Sequence, residues 1–247
     1  MRGIIAVTTD FGNKDHYNGV IKGVILSINP EVTIVDLASD ADSFSVTDAA
    51  FLLYASASYF PRETVFLTVV DPGVGTKRGA VAVQCSNHFF VGPDNGVLYP
   101  AASQEGIIRA VRLENSRGTF DGRDIFAPAA ARISLAKSIN GLGEDCQLTE
   151  KFEFGDAVID DGVINSKIIH VDKFGDAVTN IKSKQLEGVN SIKYMGKIIP
   201  RAVAFSACKG ICFIDGSSGF IEIVADRHNA SDELNLSAGK NLRLVLQ

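Results

Sequence analysis

The chain has 247 residues, 46% of them hydrophobic, with a formal net charge of −5 and a pI near 5.4. That length can bury one large core or two smaller ones, which excludes a disordered or fibrous chain. The acidic balance argues against a nucleic-acid partner, which would call for a basic stripe, and suits a small or cationic ligand.

No apolar run approaches the ~18 residues of a membrane span, and Met1-Arg2-Gly3 leads straight into a strand pattern rather than a secretory leader. A cytoplasmic location is the expectation. Ile4 to Thr9 reads as a first strand ending at Asp10. Apolar residues at Ile21, Val24, Ile25 and Ile28 then give a helix over 17–28, stopped by Asn29-Pro30. A buried strand over 32–35 ends at Asp36, a helix over 47–58 is closed by Pro61, and the β-branched run Thr64 to Val70 is a strand buried on both faces, with Asp71 at its carboxyl end. The order β-α-β-α-β predicts a mainly parallel sheet flanked by helices. Residues 80–85 and 88–91 read as a hairpin, 107–113 as a strand, and 124–137 as a helix whose early Pro128 is tolerated in the first turn. Beyond about residue 150, short alternating runs separated by Gly, Asp, Asn and Ser replace the helix patterns. The fold class is therefore α/β, with an α/β catalytic domain over 1–150 and a smaller, mostly-β domain over 151–247.

Cys85, Cys146, Cys208 and Cys212 are scattered, the nearest pair spaced C-x3-C in an apolar stretch, so buried free thiols are expected. His16, His88, His170 and His228 lack zinc-ligand spacing, and no metal site is expected. The glycine-rich run 73–79 lacks the G-x-x-x-x-G-K-[ST] phosphate loop. The Asp10-Phe11-Gly12 triplet has no kinase signature ahead of it.

Asp10, Asp36 and Asp71 each follow a strand. One aspartate alone would be an ordinary turn former or helix cap. Three at equivalent sheet positions suggest a crevice that accepts hydrogen bonds from ribose hydroxyls or holds a cation, and that rejects phosphate.

Five motifs occur in order: Thr8-Thr9-Asp10-Phe11-Gly12, Asp71-Pro72-Gly73-Val74-Gly75-Thr76-x-Arg78, Pro93-Asp94-Asn95-Gly96, Thr119-Phe120-x-Gly122-Arg123-Asp124-Ile125-Phe126-Ala127-Pro128, and Val171-Asp172-x-Phe174-Gly175. Together they resemble the S-adenosylmethionine hydroxide adenosyltransferase family, adenosine-forming hydrolases related to fluorinase and chlorinase. The resemblance implies a homotrimer that binds S-adenosylmethionine between the large domain of one subunit and the small domain of its neighbour, where water displaces methionine from ribose C5′. It implies no cofactor beyond the substrate. Asp10 would hold the ribose diol, and Asp71, Arg78 and Asp121 would position and activate the water. Asn95 and Phe120, in the motifs of the large domain, would contact the substrate. Asp172, Phe174 and Asp176 would line the ligand from the small domain, with Glu222 near the adenine.

Three positions depart from the family pattern: Asp121 stands where a histidine is usual, Asp176 replaces an asparagine, and Ser39 replaces another histidine. Asp121 and Asp176 also suit turn roles, since each lies beside a glycine. Two carboxylates ~4 Å apart would repel by roughly 4 kcal/mol at an effective dielectric of ~20 unless Arg78 offsets them. A halide would meet the same repulsion, which disfavours halogenation. The alternatives are a protein that binds S-adenosylmethionine or adenosine with little turnover, or an adenosyl transferase using a different substrate or nucleophile.

Overall fold

The computed structural model describes residues 3–114 and 119–247; Met1 and Arg2, at the head of the first strand pattern, lie outside the described residues. The chain divides into two compact units, Met1–Glu153 and Phe154–Gln247.

In the first unit, β1 (Ile4–Thr9), α1 (Tyr17–Ile28), β2 (Thr33–Ala38), α2 (Val46–Ser56) and β3 (Val65–Val69) follow one another, then β4 (Ala80–Cys85), β5 (Phe89–Pro93), α3 (Tyr99–Glu105), β6 (Ile107–Leu113), α4 (Ala127–Ala136) and β7 (Gly143–Asp145). The sheet order is β2-β1-β3-β5-β4-β6-β7. Strand β3 is buried at every residue, which is why its sequence is continuously apolar rather than alternating. Ile5, Val7, Leu67 and Val69 pack with Ile21 and Ile25 of α1 and Ile133 of α4. The alternate residues turn to the opposite face, where Phe66 stacks on Phe90 with ring centroids 5.2 Å apart.

The expectation of a mainly parallel sheet is corrected. Pairs β1–β2, β1–β3 and β3–β5 are parallel, but β4–β5, β4–β6 and β6–β7 are antiparallel, so the sheet is mixed. The cause is local: β4 turns into β5 through a hairpin closed by Cys85 N–H donating to His88 O at 3.0 Å, leaving no length for a crossover helix. Asp36 also departs from its expected place. Strand β2 continues past it to Ala38, and Asp36 pairs with Lys22 of α1 at 2.7 Å.

The second unit contains β8 (Val158–Asp160), β9 (Val163–Val171), β10 (Ala177–Lys182), β11 (Ser191–Tyr194), β12 (Lys197–Pro200), β13 (Ile211–Asp215), β14 (Phe220–Ala225), the short α5 (Ala230–Leu234) and β15 (Asn241–Leu246). Its sheet runs β12-β11-β15-β9-β10-β14-β13, with β8 added on β9, and its strand pairs are antiparallel. Ile164, Ile168, Ile181, Phe213, Ile221 and Leu244 fill its core. Cys208 and Cys212, expected as free thiols, form a disulfide with Cα atoms 5.7 Å apart. A turn closed by Cys208 N–H on Phe205 O and a left-handed Gly210 fold the span back on itself. Cys85 is a free, buried thiol, pushed up to about 12 by burial and by the nearby Glu105 charge.

A buried ion pair ties the start of β5 to the end of α3. His88 Nδ1 meets Glu105, and Nε2 meets the carbonyls of Phe60 and Pro61 at 3.2 and 3.1 Å. Both ring nitrogens face acceptors only, an arrangement that favours the doubly protonated ring. Burial opposes its charge, but Glu105 and the two carbonyls hold its pKa above the ordinary value. A raised histidine stabilises the fold fully below its unfolded value of ~6.5 and loses that contribution as pH rises through the folded value. His88→Gln is expected to lower stability by about 3 kcal/mol in mild acid, with the gap to wild type narrowing as pH rises through the folded value. Thermal unfolding across pH measures this; a gap independent of pH refutes the charged pair.

Candidate active site

The first crossover carries the chain from β1 to β2 on one side, and the second carries it back past β1 to β3 on the other. The carboxyl ends of β1 and β3 therefore flank a topological switch point, where open α/β sheets bind ligands. Asp10 follows β1 and Asp71 lies just beyond β3.

The loop from Asp71 to Arg78 is a chain of tight turns. Val74 N–H donates to Asp71 O, Thr76 N–H to Gly73 O, and the Thr76 hydroxyl also reaches Gly73 O at 2.7 Å. Gly75 has φ +78°, which glycine adopts without steric cost. These turns bring Arg78 back onto Asp71. Arg78 Nε donates to Asp71 Oδ1 at 3.0 Å, and its Nη2 reaches both Asp71 Oδ2 and Asp121 Oδ2, the latter at 2.6 Å. The three side chains are only 10%, 7% and 12% exposed for Arg78, Asp71 and Asp121. Burial works against the guanidinium charge, yet Asp71 and then Asp121 raise the Arg78 pKa above its ordinary value. Phe126 lies beneath the guanidinium, its ring centroid 5.3 Å from Cζ.

Asp121 starts a π-helical turn over Gly122–Phe126 that runs into α4; the plain helix expected over 124–137 is irregular at its start, and π turns are frequent at functional sites. A Cβ at Gly122 would lie 2.8 Å from the Phe120 ring and 3.2 Å from Ile21 and Val69. Only glycine lets this turn sit against the sheet and present Asp121 to Arg78.

Asp71, Asp121, Asp10 and Phe120 line one cleft of about 490 Å³, within the size range of small-molecule sites. Asp10 Oδ2 accepts the Phe44 N–H at 2.8 Å. Phe44 lines the same cleft with its side chain largely exposed and its backbone at φ +64°, a strained conformation for a non-glycine residue. Phe11, Tyr17 and Phe120 form an aromatic wall with mutual centroid distances of 5.3 to 5.9 Å. Sequence reasoning did not single out Tyr17 or Phe44; the helix periodicity hid the first, and the second gives no local signal.

Asn95 sits in the turn after β5, next to the carboxyl end of β3. Its side-chain amide donates to Val70 O at 3.0 Å and accepts the Val97 N–H at 3.2 Å.

The remaining residues lie in the second unit. Asp172 Oδ1 accepts the N–H groups of Phe174 and Asp176, both at 2.9 Å, which leaves the Phe174 ring exposed. Burial and then Asp172 push the Asp176 carboxyl above its usual range, against the opposing hydrogen bond to Ala225. Burial, Asp176 and Asp172 do the same to Glu222, with His170 opposing. Gly216 makes room for the Glu222 carboxylate, since a Cβ there would lie 2.1 Å from it. Among the described residues, no three His, Cys, Asp or Glu side chains are grouped to hold a metal ion.

The model of the SAM hydroxide adenosyltransferase N-terminal domain matches residues 5–143, and that of the C-terminal domain matches 166–243. An (R)-S-adenosyl-L-methionine hydrolase of Methanocaldococcus jannaschii is 31% identical over 98% of this chain and 95% of its own length. One from Thermus thermophilus is 32% identical over 96% and 97%. The crystal structure of an uncharacterized conserved protein from Thermotoga maritima superposes with a TM-score of 0.90 at 32% identity, over 98% of this chain and 99% of that one. Near-complete coverage by both domains, in the same order and over the residues that build the cleft, establishes that the chain belongs to the SAM hydroxide adenosyltransferase family.

Proposed function

We propose that this protein hydrolyses S-adenosyl-L-methionine to adenosine and L-methionine, with water attacking ribose C5′ at the cleft between β1 and β3. The observation that carries the reading is the pairing of one arginine with two carboxylates that line the cleft, supported by hydrolase relatives along the whole chain. In the reaction the new O–C5′ bond forms as the C5′–S bond breaks, methionine leaves as a neutral thioether, and one water proton passes to a carboxylate of the Asp71–Asp121 pair. The sulfonium is already a good leaving group, so no general acid, metal or cofactor is needed; the protein supplies alignment and a proton acceptor. Asp10 would accept the ribose hydroxyls.

The same proposal includes a homotrimer in a cytoplasmic setting. Asp172, Phe174, Asp176 and Glu222 of the small unit would complete the site of a neighbouring subunit, an arrangement supported by the family resemblance.

One observation favours a second reading, a binder with little turnover: Asp121 stands in place of the family's histidine. Incubation of the protein with S-adenosylmethionine, followed by chromatography of adenosine and methionine, separates the two. Equimolar products are expected, and intact substrate at high protein concentration would instead favour the binder. Asp71→Asn is expected to lower kcat by about 10²-fold or more while leaving substrate binding intact; unchanged turnover would remove Asp71 from the chemistry.

The carboxyls of Asp176 and Glu222 give an independent test. Because burial holds them above the ordinary range, a cationic ligand beside them favours the ionised forms and draws protons off between the ordinary and the raised values. Calorimetric binding enthalpy should therefore vary with the ionisation enthalpy of the buffer, and less so in Glu222→Gln. A buffer-independent enthalpy would place these carboxyls away from the bound cation.

A further inference from the structure

We infer that Asn95 is a positioning residue for Asp71, acting through the peptide bond that joins Val70 to Asp71; the inference rests on the hydrolase reading. The ladder between β3 and β5 ends at the pair Leu67–Val91, three residues short of Val70. Past that point the Asn95 side chain extends the pairing, its amide donating to Val70 O at 3.0 Å while its own oxygen accepts the Val97 N–H at 3.2 Å. The carbonyl of Val70 and the N–H of Asp71 share one rigid peptide plane. Fixing that oxygen fixes the direction in which Asp71 leaves its backbone, and hence the angle at which its carboxylate meets Arg78.

The turn that carries Asn95 is itself anchored. Asp94 N–H donates to Gly79 O at 2.8 Å, beside Arg78, and the buried Asp94 carboxylate accepts the Thr149 N–H at 3.0 Å and the Glu150 N–H at 3.5 Å. Gly96 lies so close to Phe152 that a Cβ would come within 2.6 Å of it. Asn95 therefore braces Asp71 from a fixed support. One amide N–H and one oxygen lone pair of Asn95 go to backbone partners, which is how a brace is held.

Asn95→Asp tests the contact, because the carboxylate keeps the size and the acceptor for Val97, loses the donor to Val70 O and sets a negative charge against that oxygen. A protonated carboxyl regains that donor. With S-adenosylmethionine as substrate, Asn95→Asp should lower kcat about tenfold near neutral pH with KM within about twofold, and its kcat relative to wild type should climb toward one as pH falls. The charged neighbours are Asp94 in the same turn and the Asp71–Arg78–Asp121 group, and taking the ratio to wild type at each pH removes their shared titration. The Arg78 Nε–H resonance, which reports the pair with Asp71 without turnover, should move in the variant near neutral pH and return in acid. A variant equal to wild type in kcat, or a deficit independent of pH, overturns the inference. If the wild type itself leaves S-adenosylmethionine intact, the hydrolase reading fails, and the Arg78 resonance alone decides: movement that reverses in acid upholds the brace, and an unmoved resonance overturns it.

Discussion

Everything at the cleft depends on one guanidinium holding two carboxylates. Asp71 and Asp121 come from loops 50 residues apart in sequence, and left alone their charges would push those loops apart. Arg78, planar and permanently charged, presents a fork of N–H donors that takes Asp71 through two nitrogens and Asp121 through one of them. The glycine-rich loop before Arg78 folds tightly enough to place it there, and Gly122 lets the π turn bring Asp121 in from the other side. Local backbone geometry and site electrostatics are thus one problem with one solution.

That solution leaves the group with one more negative charge than positive. A neutral nucleophile such as water enters such a site without electrostatic penalty and leaves its proton behind, whereas an anionic nucleophile is repelled on approach. Asp121, as the second carboxylate, adds to the repulsion a halide would meet. The aromatic wall of Phe11, Tyr17 and Phe120 lines the same cleft as this charge.

The first half of the fold was legible because burial and period agreed. Ile4 to Thr9 and Val65 to Val69 are apolar on both faces, and α1 repeats its apolar residues every three or four positions. The site was legible for the residues adjoining strand ends or in tight acidic turns, Asp10, Asp71, Arg78 and Asp121 among them. Features set by distant partners were not. Helix α3 is seven residues long and has Pro100 as its second residue, which reads as a breaker. The disulfide depends on a turn that the spacing of Cys208 and Cys212 does not announce. Nothing in the local sequence tells that the Asn95 amide reaches a carbonyl 25 residues earlier. Asp36 matched Asp10 and Asp71 by pattern, but Lys22 and two more residues of strand placed it elsewhere.

The outermost strands carry their own safeguard. At one margin of the first sheet, β7 is only three residues long and two of them, Glu144 and Asp145, are acidic; at the other, β2 bears the Asp36–Lys22 pair. In the second sheet the two end strands come together, with Arg201, just past β12, bridged to Phe213 of β13. Such margins make poor templates for a strand from another molecule. Strand-by-strand addition of further copies is thereby disfavoured.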